Sequence, residues 1–291
     1  MFFIVSMEVS WPEEKPQLVL KPSSGWQAVN LQQIWQYRDL LMTLAMRDVK
    51  LRYRQTALGA IWVIIQPLLG AGVLSFVFNR VANVPTGEIP PFLFAFVGML
   101  GFTAFSSTLS KASGSLIGNA QLVSKVFFPR LVLPLSTVLS TLVDFGVSLA
   151  MLFVLMLVYR IMPGPQLALL PLWLALILCL SLGCGLIAAA LMVSYRDVQY
   201  VLPVVVNLLT FASPIAYAAS FAASKLPASL QPFYFLLNPL AGLLEAFRWS
   251  LLGAADVKWS YVAYSAVFAL LLFLAGAFAF KKMERKFADV I

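Results

Sequence analysis

The basic stretch that decides the fold reads Arg47-Asp48-Val49-Lys50-Leu51-Arg52-Tyr53-Arg54, and it stands directly before a long apolar segment that begins at Leu58. Lys and Arg stay on the cytoplasmic side of a bilayer, so a basic cluster before a membrane-length apolar segment orients the first crossing. The composition also indicates a membrane protein, because 61% of the residues are hydrophobic, 11% are charged and the mean hydropathy is +0.90. A soluble domain carries about 25% charged residues. We therefore predict an all-α integral membrane protein.

The charge and the cysteine content exclude several classes of function. The net charge is +8, but the basic residues gather at the ends of apolar segments. That distribution is typical of membrane orientation and of attraction to anionic lipid headgroups, so we expect contact with lipid and none with nucleic acid. The chain has no His, and its cysteines, Cys179 and Cys184, lie in one apolar segment. We expect no metal site, no catalytic residues and no cofactor bound by this chain.

The apolar segments predict six membrane-spanning helices, since about 20 apolar residues cross the hydrocarbon core. The predicted spans are Leu58–Phe78, Pro91–Leu109, Leu131–Tyr159, Leu167–Val193, Val201–Ser220 and Trp259–Phe280. The segment Leu226–Leu252 is also apolar, but prolines interrupt it and Glu245 and Arg248 lie within it. We predict one or two short re-entrant or interfacial helices there.

The positions of the basic residues test this count. With six crossings and cytoplasmic termini, 15 of the 20 Lys and Arg residues lie inside and five lie outside. A full crossing at Leu226–Leu252 would move the cluster at Lys281–Lys286 outside, so the positive-inside rule favours six.

The N-terminal region predicts two further parts. Residues 1–29 are rich in Pro and polar residues and predict a flexible cytoplasmic tail. Over residues 30–57 apolar side chains recur at helical spacing, with Trp35 and Tyr37 as headgroup anchors, which predicts an amphipathic helix in the membrane interface. That helix either serves only as an anchor that sets the topology or has a further role. Residues 58–285 form the predicted transmembrane domain.

The connection between the second and third predicted spans is a candidate docking element. No Gly-rich phosphate-binding loop occurs in the sequence, so an active transporter of this kind needs a separate motor. The connection is cytoplasmic in the predicted topology and mixes polar with apolar residues, which favours docking into a partner's groove over a plain loop. The candidate coupling residues are Gly114, Leu116, Ile117, Leu122, Val123, Phe127 and Phe128.

Asp144 and five aromatic residues stand out within and near the predicted spans. Asp144 is the only acidic residue deep in a predicted span, where a carboxylate is costly. We favour an interior structural or pore-facing role over a proton relay, because relays usually contain several such groups. Five aromatic residues lie towards the outer half in the predicted topology, where interfacial anchors are common: Phe76, Phe211, Tyr217, Tyr234 and Trp249.

Five motifs in order resemble the permeases of ABC type-2 exporters for O-antigen, capsule and teichoic acid. They are Arg47-Asp48-x-Lys50-x-Arg52-Tyr53-Arg54 with Leu58-Gly59-x-x-Trp62 and Gln66-Pro67; Val123 to Arg130 with Leu133-Pro134-Leu135; Tyr195-Arg196-Asp197-Val198; Ser213-Pro214-Ile215-x-Tyr217; and Asn238-Pro239-Leu240. The resemblance covers about residues 30–285.

The resemblance implies two copies of this chain, two ATP-hydrolysing subunits and a lipid-linked polysaccharide that moves outward through the cytoplasmic membrane. ATP is used by the partner subunit, whose closure pushes on the connection around Gly114–Phe128 and on the N-terminal helix. Arg47, Arg52, Tyr53, Arg54 and Trp62 become the candidate cytoplasmic interface or gate. Asp144 and the five outer aromatic residues become candidate residues of a sugar path, and the alternative for the aromatic residues is ordinary interfacial anchoring. The alternative function is export of a drug or lipid by the same architecture. A membrane-embedded transferase is poorly supported, because no cluster of His, Asp or Glu is available for acid–base chemistry.

Overall fold

The computed structural model describes residues 31–54, 61–253 and 257–290 of the chain, and regular structure within these residues is helical throughout. The α-helices are α1 Leu31–Gln36, α2 Arg38–Arg54, α3 Ile61–Ser75, α4 Pro91–Gly114, α5 Ala120–Lys125, α6 Val132–Val158, α7 Leu170–Ser194, α8 Val198–Ala212, α9 Ala219–Ser224, α10 Gln231–Leu237, α11 Pro239–Leu252 and α12 Trp259–Val290. A π-helical stretch, Phe76–Val81, prolongs α3, and the 3-10 helices Ile117–Asn119 and Pro165–Leu169 precede α5 and α7.

Five helical stretches among the described residues are long and apolar enough to cross a membrane. They are Ile61–Val81, Pro91–Gly114, Val132–Val158, Pro165–Ser194 and Trp259–Glu284. These stretches correspond to the predicted spans that begin at Leu58, Pro91, Leu131, Leu167 and Trp259. The prediction of an all-α membrane protein is therefore confirmed.

The predicted span Val201–Ser220 differs from the observed helix. α8 has 15 residues and ends at Ala212, so at about 1.5 Å per residue it is too short to cross the hydrocarbon core alone. Ser213 is extended (φ −92°, ψ 149°) and precedes Pro214, whose ring disfavours helical backbone at the residue before it. The sequence stays apolar beyond this break, which is why hydropathy predicted a longer helix. The count of six crossings stays a prediction.

α4 and α7 lie at the centre of the bundle. Most residues of their membrane-length windows are buried, whereas most of those in α3, α6 and α12 are half-buried or exposed. α7 packs along both α4 and α12, and α3 and α6 cover α4. The α7–α12 approach is close because Gly183 and Gly276 face each other, and a Cβ on either would collide with the opposite backbone. Small residues allow this close packing of membrane helices.

Two hydrophobic cores divide the bundle along its length. The main core joins α3, α4, α6, α7, α11 and α12. A second core is called here the loop-side core. It joins residues 115–131, which connect α4 to α6, with α2, the start of α6, the end of α7 and the end of α12. Its buried members include Leu44, Leu116, Phe128, Phe280 and Phe287.

The short helices α9, α10 and α11 lie at the opposite end, called here the far side. Short helices are present over the predicted segment Leu226–Leu252, while their re-entrant placement stays a prediction. α10 ends at Leu237 because Asn238 precedes Pro239, and Pro239 then begins α11. α11 ends at Leu252. The next residue, Gly253, caps the helix with a φ of +70°, a left-handed conformation that favours glycine.

The N-terminal helices lie partly on the protein itself. Leu44 and Ala45 of α2 are buried, and α2 packs against α6. Trp35 is exposed. The predicted tail, residues 1–29, and the end of the predicted interface helix, residues 55–57, lie outside the described residues. Placement of α2 in the membrane interface stays a prediction.

Candidate functional site

A polar cleft of about 270 Å³ opens between α3, α4, α6 and α8, within the apolar segments. Its polar lining residues are Arg52, Gln66, Thr103, Ser106, Ser107, Thr141, Asp144, Ser148, Asn207 and Thr210. Sequence reasoning identified only Asp144 and Arg52 among them. Part of the signal was present as helical spacing, since the polar lining residues of α4, α6 and α8 include pairs three, four or seven positions apart. Polar groups at this depth need protein or water around them, so the cleft is not a surface suited to lipid.

An ion cluster lies at the loop-side end of the cleft. The Asp144 carboxylate pairs with the guanidinium of Arg52 and lies 3.0 Å from Lys111 Nζ. Lys111 Nζ also donates to Ser140 Oγ at 3.2 Å. The carboxylate is largely buried, with 13% of its side chain exposed, and the two cations more than neutralise it. Asp144 therefore both lines the cleft and ties α2 and α4 to α6.

The other candidate gate residues are distributed along the same side. Arg47 Nη2 donates to Asp48 Oδ1 at 2.9 Å and to Asn119 Oδ1 at 2.8 Å, which links α2 to the connection between α4 and α6. Trp62 is exposed at the start of α3. The side chains of Tyr53 and Arg54 lie outside the described part of the structure. A shared gate of these five residues stays a prediction.

The candidate coupling residues separate into inward and outward sets. Leu116, Val123 and Phe128 are buried in the loop-side core, Leu122 is half-buried, and Phe127 is 69% exposed. The sequence offered no means to separate Phe127 from Phe128, because the core partners of Phe128 come from distant helices. The three buried side chains pack inside the loop-side core, so in this conformation they are not accessible to a partner.

The exposed apolar surface of the connection is formed by Ile117, Val126 and Phe127. This set, called here the loop patch, includes Val126, which sequence reasoning did not select. Gly114 is the last residue of α4, and nothing lies within contact distance of the position that a Cβ would occupy there. The loop patch is therefore the part of the connection that is available to a partner.

The candidate aromatic residues also occupy two kinds of environment. Phe76 and Phe211 are each 63% exposed. Tyr217 is buried, its hydroxyl donates to the Phe211 carbonyl at 2.9 Å, and its ring lies 5.4 Å from that of Phe78. Trp249 packs edge-to-face on Trp259 at 5.1 Å. Phe76 and Phe211 thus have free faces, while Tyr217 and Trp249 are committed to internal packing.

Side chains from the far side cap the carbonyls where α8 breaks. Asn238 Nδ2 donates to the Ala212 carbonyl and to Ser213 Oγ, both at 3.2 Å, and the Tyr234 hydroxyl donates to the Ala212 carbonyl at 3.3 Å. The last carbonyls of any helix lack intrahelical partners, and at membrane depth such groups are costly. Tyr234 and Asn238 therefore stabilise the early end of α8.

Arg248 completes this capping. Its Nη2 donates to the carbonyl oxygens of Pro214 and Ile215, the latter at 2.9 Å. Its Nη1 lies 3.0 Å from Glu245 Oε1, and this pair on one helical face agrees with the spacing in the sequence. The guanidinium carbon lies 3.9 Å from the ring centre of Phe94. Arg248 is one of the five basic residues that the predicted topology places outside, and its side chain is completely buried.

Two neighbours make room for this arrangement. Gly98 faces the Ile215 carbonyl and the Arg248 guanidinium, and a Cβ there would collide with both. Glu245 Oε1 also accepts a hydrogen bond from the backbone N–H of Ala219 at 2.7 Å, which fixes the start of α9. The motifs around Ser213-Pro214 and Asn238-Pro239 are therefore two sides of one contact.

Helices of membrane length with a polar cleft at their depth are the architecture of a membrane transport protein. Residues 39–252 match the family described as ABC-2 type transporter, and the chain belongs to that family.

Three relatives extend this comparison. The O-antigen export system permease protein RfbA of Myxococcus xanthus is 31% identical over 218 residues, 75% of this chain and 82% of that protein. A permease of the same name from Klebsiella pneumoniae is 27% identical over 255 residues, 87% of this chain and 95% of that protein. The polysialic acid transport protein KpsM of Escherichia coli is 28% identical over 253 residues, 83% of this chain and 92% of that protein.

Proposed function

We propose that this chain is the permease subunit of an ATP-driven exporter that moves a lipid-linked polysaccharide across the cytoplasmic membrane. The observation that carries the proposal is the polar cleft at membrane depth. A hydrated polymer needs a path that offers hydrogen-bonding groups, and an apolar bundle does not provide one. The relatives named for O-antigen and polysialic acid transport support polysaccharide as the substrate class.

A second copy of the chain would complete the path. The cleft between α3, α4, α6 and α8 is open to the outside of the chain, because its residues Gln66 and Asn207 are exposed. Two clefts that face each other across a twofold axis would enclose a larger polar channel, and twofold dimers are the commonest protein oligomers. α8 supports this arrangement, because none of its residues is fully buried. Its outer face therefore needs a neighbouring protein or lipid.

The energy would come from a separate ATP-hydrolysing subunit, present in two copies. The sequence contains no Gly-rich phosphate-binding loop of its own. The loop patch Ile117, Val126 and Phe127 is an exposed apolar surface next to Lys125, and such a surface suits a groove on a partner. In this proposal ATP-driven closure of the partner pushes on the connection between α4 and α6.

The proposed topology has six crossings with both termini in the cytoplasm. The fifth crossing in chain order combines α8 with the chain that follows its break at Ser213. The basic cluster before α3 and the one at the end of α12 then lie on the same side, as the positive-inside rule requires. The loop side becomes cytoplasmic, and α9, α10 and α11 cap the outer end of the path.

The candidate path residues fit this proposal in different ways. Phe76 and Phe211, with free ring faces, would stack on sugar rings, whereas Tyr217, Tyr234 and Trp249 would shape the outer end by internal packing. Arg52 and Asp144 would lie where the polymer enters from the cytoplasm. Arg47, Tyr53, Arg54 and Trp62 would form the neighbouring interface.

Deletion of the gene tests the proposed function. We expect polysaccharide to disappear from the cell surface and lipid-linked polymer to accumulate in the cytoplasm, and the wild-type gene should restore export. Surface polysaccharide that stays normal would contradict the proposal. If deletion instead changes only the export of a drug or lipid, the alternative function is correct.

A further inference from the structure

The connection between α4 and α6 is fastened to the end of α12 by a reciprocal pair of contacts. The backbone N–H of Arg130 donates to Glu284 Oε1 at 3.2 Å, and Arg130 Nη1 donates to the backbone carbonyl oxygen of Glu284. Each residue thus uses its side chain to hold the other's backbone. The two residues are far apart in the sequence and lie on different elements.

Two neighbours hold this contact in place. Lys281 Nζ lies 3.0 Å from Glu284 Oε2, so that both carboxylate oxygens are engaged. The guanidinium carbon of Arg130 lies 5.9 Å from the ring centre of Phe287, within the distance of a cation–π interaction. Charge-assisted hydrogen bonds of this kind are stronger than neutral ones.

The hydrophobic packing beneath the contact joins the same elements. Phe280 and Phe287 are completely buried and pack edge-to-face at 5.2 Å. They share the loop-side core with Leu116, Val123 and Phe128. The inward side of the connection therefore rests on α12, while Phe127 faces outward.

α12 is suited to carry a displacement from this point. It is continuous from Trp259 to Val290, and it packs along α7 at the Gly183–Gly276 contact. At the far side it packs against α11, where a Cβ at Gly242 would collide with Ser265. Cores as closely packed as this transmit displacement rather than absorb it.

We propose that Arg130 and Glu284 are positioning residues for energy coupling: they fix the partner-facing connection to α12, so that a push on the loop patch moves α12 and α7 as one body. This inference rests on the proposed function. It assigns to the C-terminal turns of α12, where the membrane-length stretch Trp259–Glu284 ends, a role in transmitting force.

The test uses cells in which each variant is the sole copy of the chain, together with complexes purified with the ATPase that copurifies with it. Glu284→Ala should leave ATP hydrolysis within about twofold of wild type but lower surface polysaccharide per folded permease by about tenfold, within the range known for coupling residues. Glu284→Gln should retain most export, because its amide oxygen still accepts from Arg130 N–H. Lys282→Ala, an exposed residue near the same turn, is the matched control and should export normally.

A double variant separates coupling from simple damage. If Arg130 and Glu284 act as one unit, Arg130→Ala combined with Glu284→Ala should be no worse than either single change. The inference is overturned if Glu284→Ala exports normally, or if its loss only tracks the amount of folded permease. Failure of the proposed function would be a different result: deletion of the gene would leave surface polysaccharide unchanged.

Discussion

Arg248 determines the geometry of the far side through a single guanidinium. It satisfies the carbonyls of Pro214 and Ile215 where α8 has stopped, and Glu245 neutralises its charge. Gly98 leaves room for this contact on α4. Pro214 ends α8, and Arg248 then stabilises the non-helical backbone that follows it inside a membrane-length apolar segment.

Replacement of Arg248 by Met should strongly destabilise the protein. The change leaves two backbone carbonyls without their donor and Glu245 as an unpaired buried charge, so we expect the free energy of unfolding to fall by about 3 kcal/mol or more. Thermal unfolding of the purified protein in detergent measures this.

The control is the double variant Arg248→Met with Glu245→Met. An apolar pair in place of a buried ion pair is close to neutral, so part of the lost stability should return. If Arg248→Met unfolds at the wild-type temperature, the capping role is wrong.

Tyr217→Phe distinguishes internal capping from sugar stacking. The ring contact with Phe78 survives this change, but the Phe211 carbonyl loses its donor. We expect a loss of about 1 kcal/mol of stability, measured by thermal unfolding, and export per folded protein close to wild type. Lost export with unchanged stability would instead place the hydroxyl in the transport path.

At the scale of elements, the sequence predicted the helices that consist of long apolar segments. It did not predict helix ends and side-chain burial that depend on contacts between distant residues. The five long spans were located because hydropathy persists through each of them. The end of α8 was missed because Ser213 and Pro214 are flanked by apolar residues and lower the mean hydropathy of the segment too little to divide it. Phe127 and Phe128 were grouped together because the core that buries Phe128 includes Phe280 and Phe287, far along the chain.

In the candidate site, too, the sequence indicated some residues and not their partners. Asp144 was recognisable because a carboxylate in an apolar span is costly, but its partners Arg52 and Lys111 come from other helices. The Ser, Thr and Asn residues of the cleft were overlooked because each one alone is common in membrane helices. Only the packing of four helices brings them together.

A charge at Phe127 should uncouple ATP hydrolysis from export. Phe127→Asp places a carboxylate on the loop patch without disturbing the loop-side core, so we expect normal permease levels, ATP hydrolysis that no longer supports export, and weaker copurification of the ATPase. Gln121→Asp, on an exposed position of α5, is the control and should behave as wild type. Normal export by Phe127→Asp would show that the ATPase contact lies elsewhere.

At the scale of the whole molecule, the two ends of the bundle have different tasks in this account. The loop side receives the ATPase on an exposed patch and passes displacement to α12, while the far side holds α8 through capping side chains. The polar cleft lies between them, bounded by α3, α4, α6 and α8. Its Ser107 lies on α4 and is half-buried, whereas Leu69 on α3 is exposed and apolar.

The central claim is that polysaccharide passes through this cleft, and the most direct measurement is surface polysaccharide per folded permease in cells that carry Ser107→Trp. The account predicts at least about a tenfold loss, because the indole fills polar space in the path, with permease levels and ATP hydrolysis retained. Leu69→Trp, which places the same side chain on an exposed apolar surface, should export normally. Normal export by Ser107→Trp would contradict the account and place the path elsewhere in the protein.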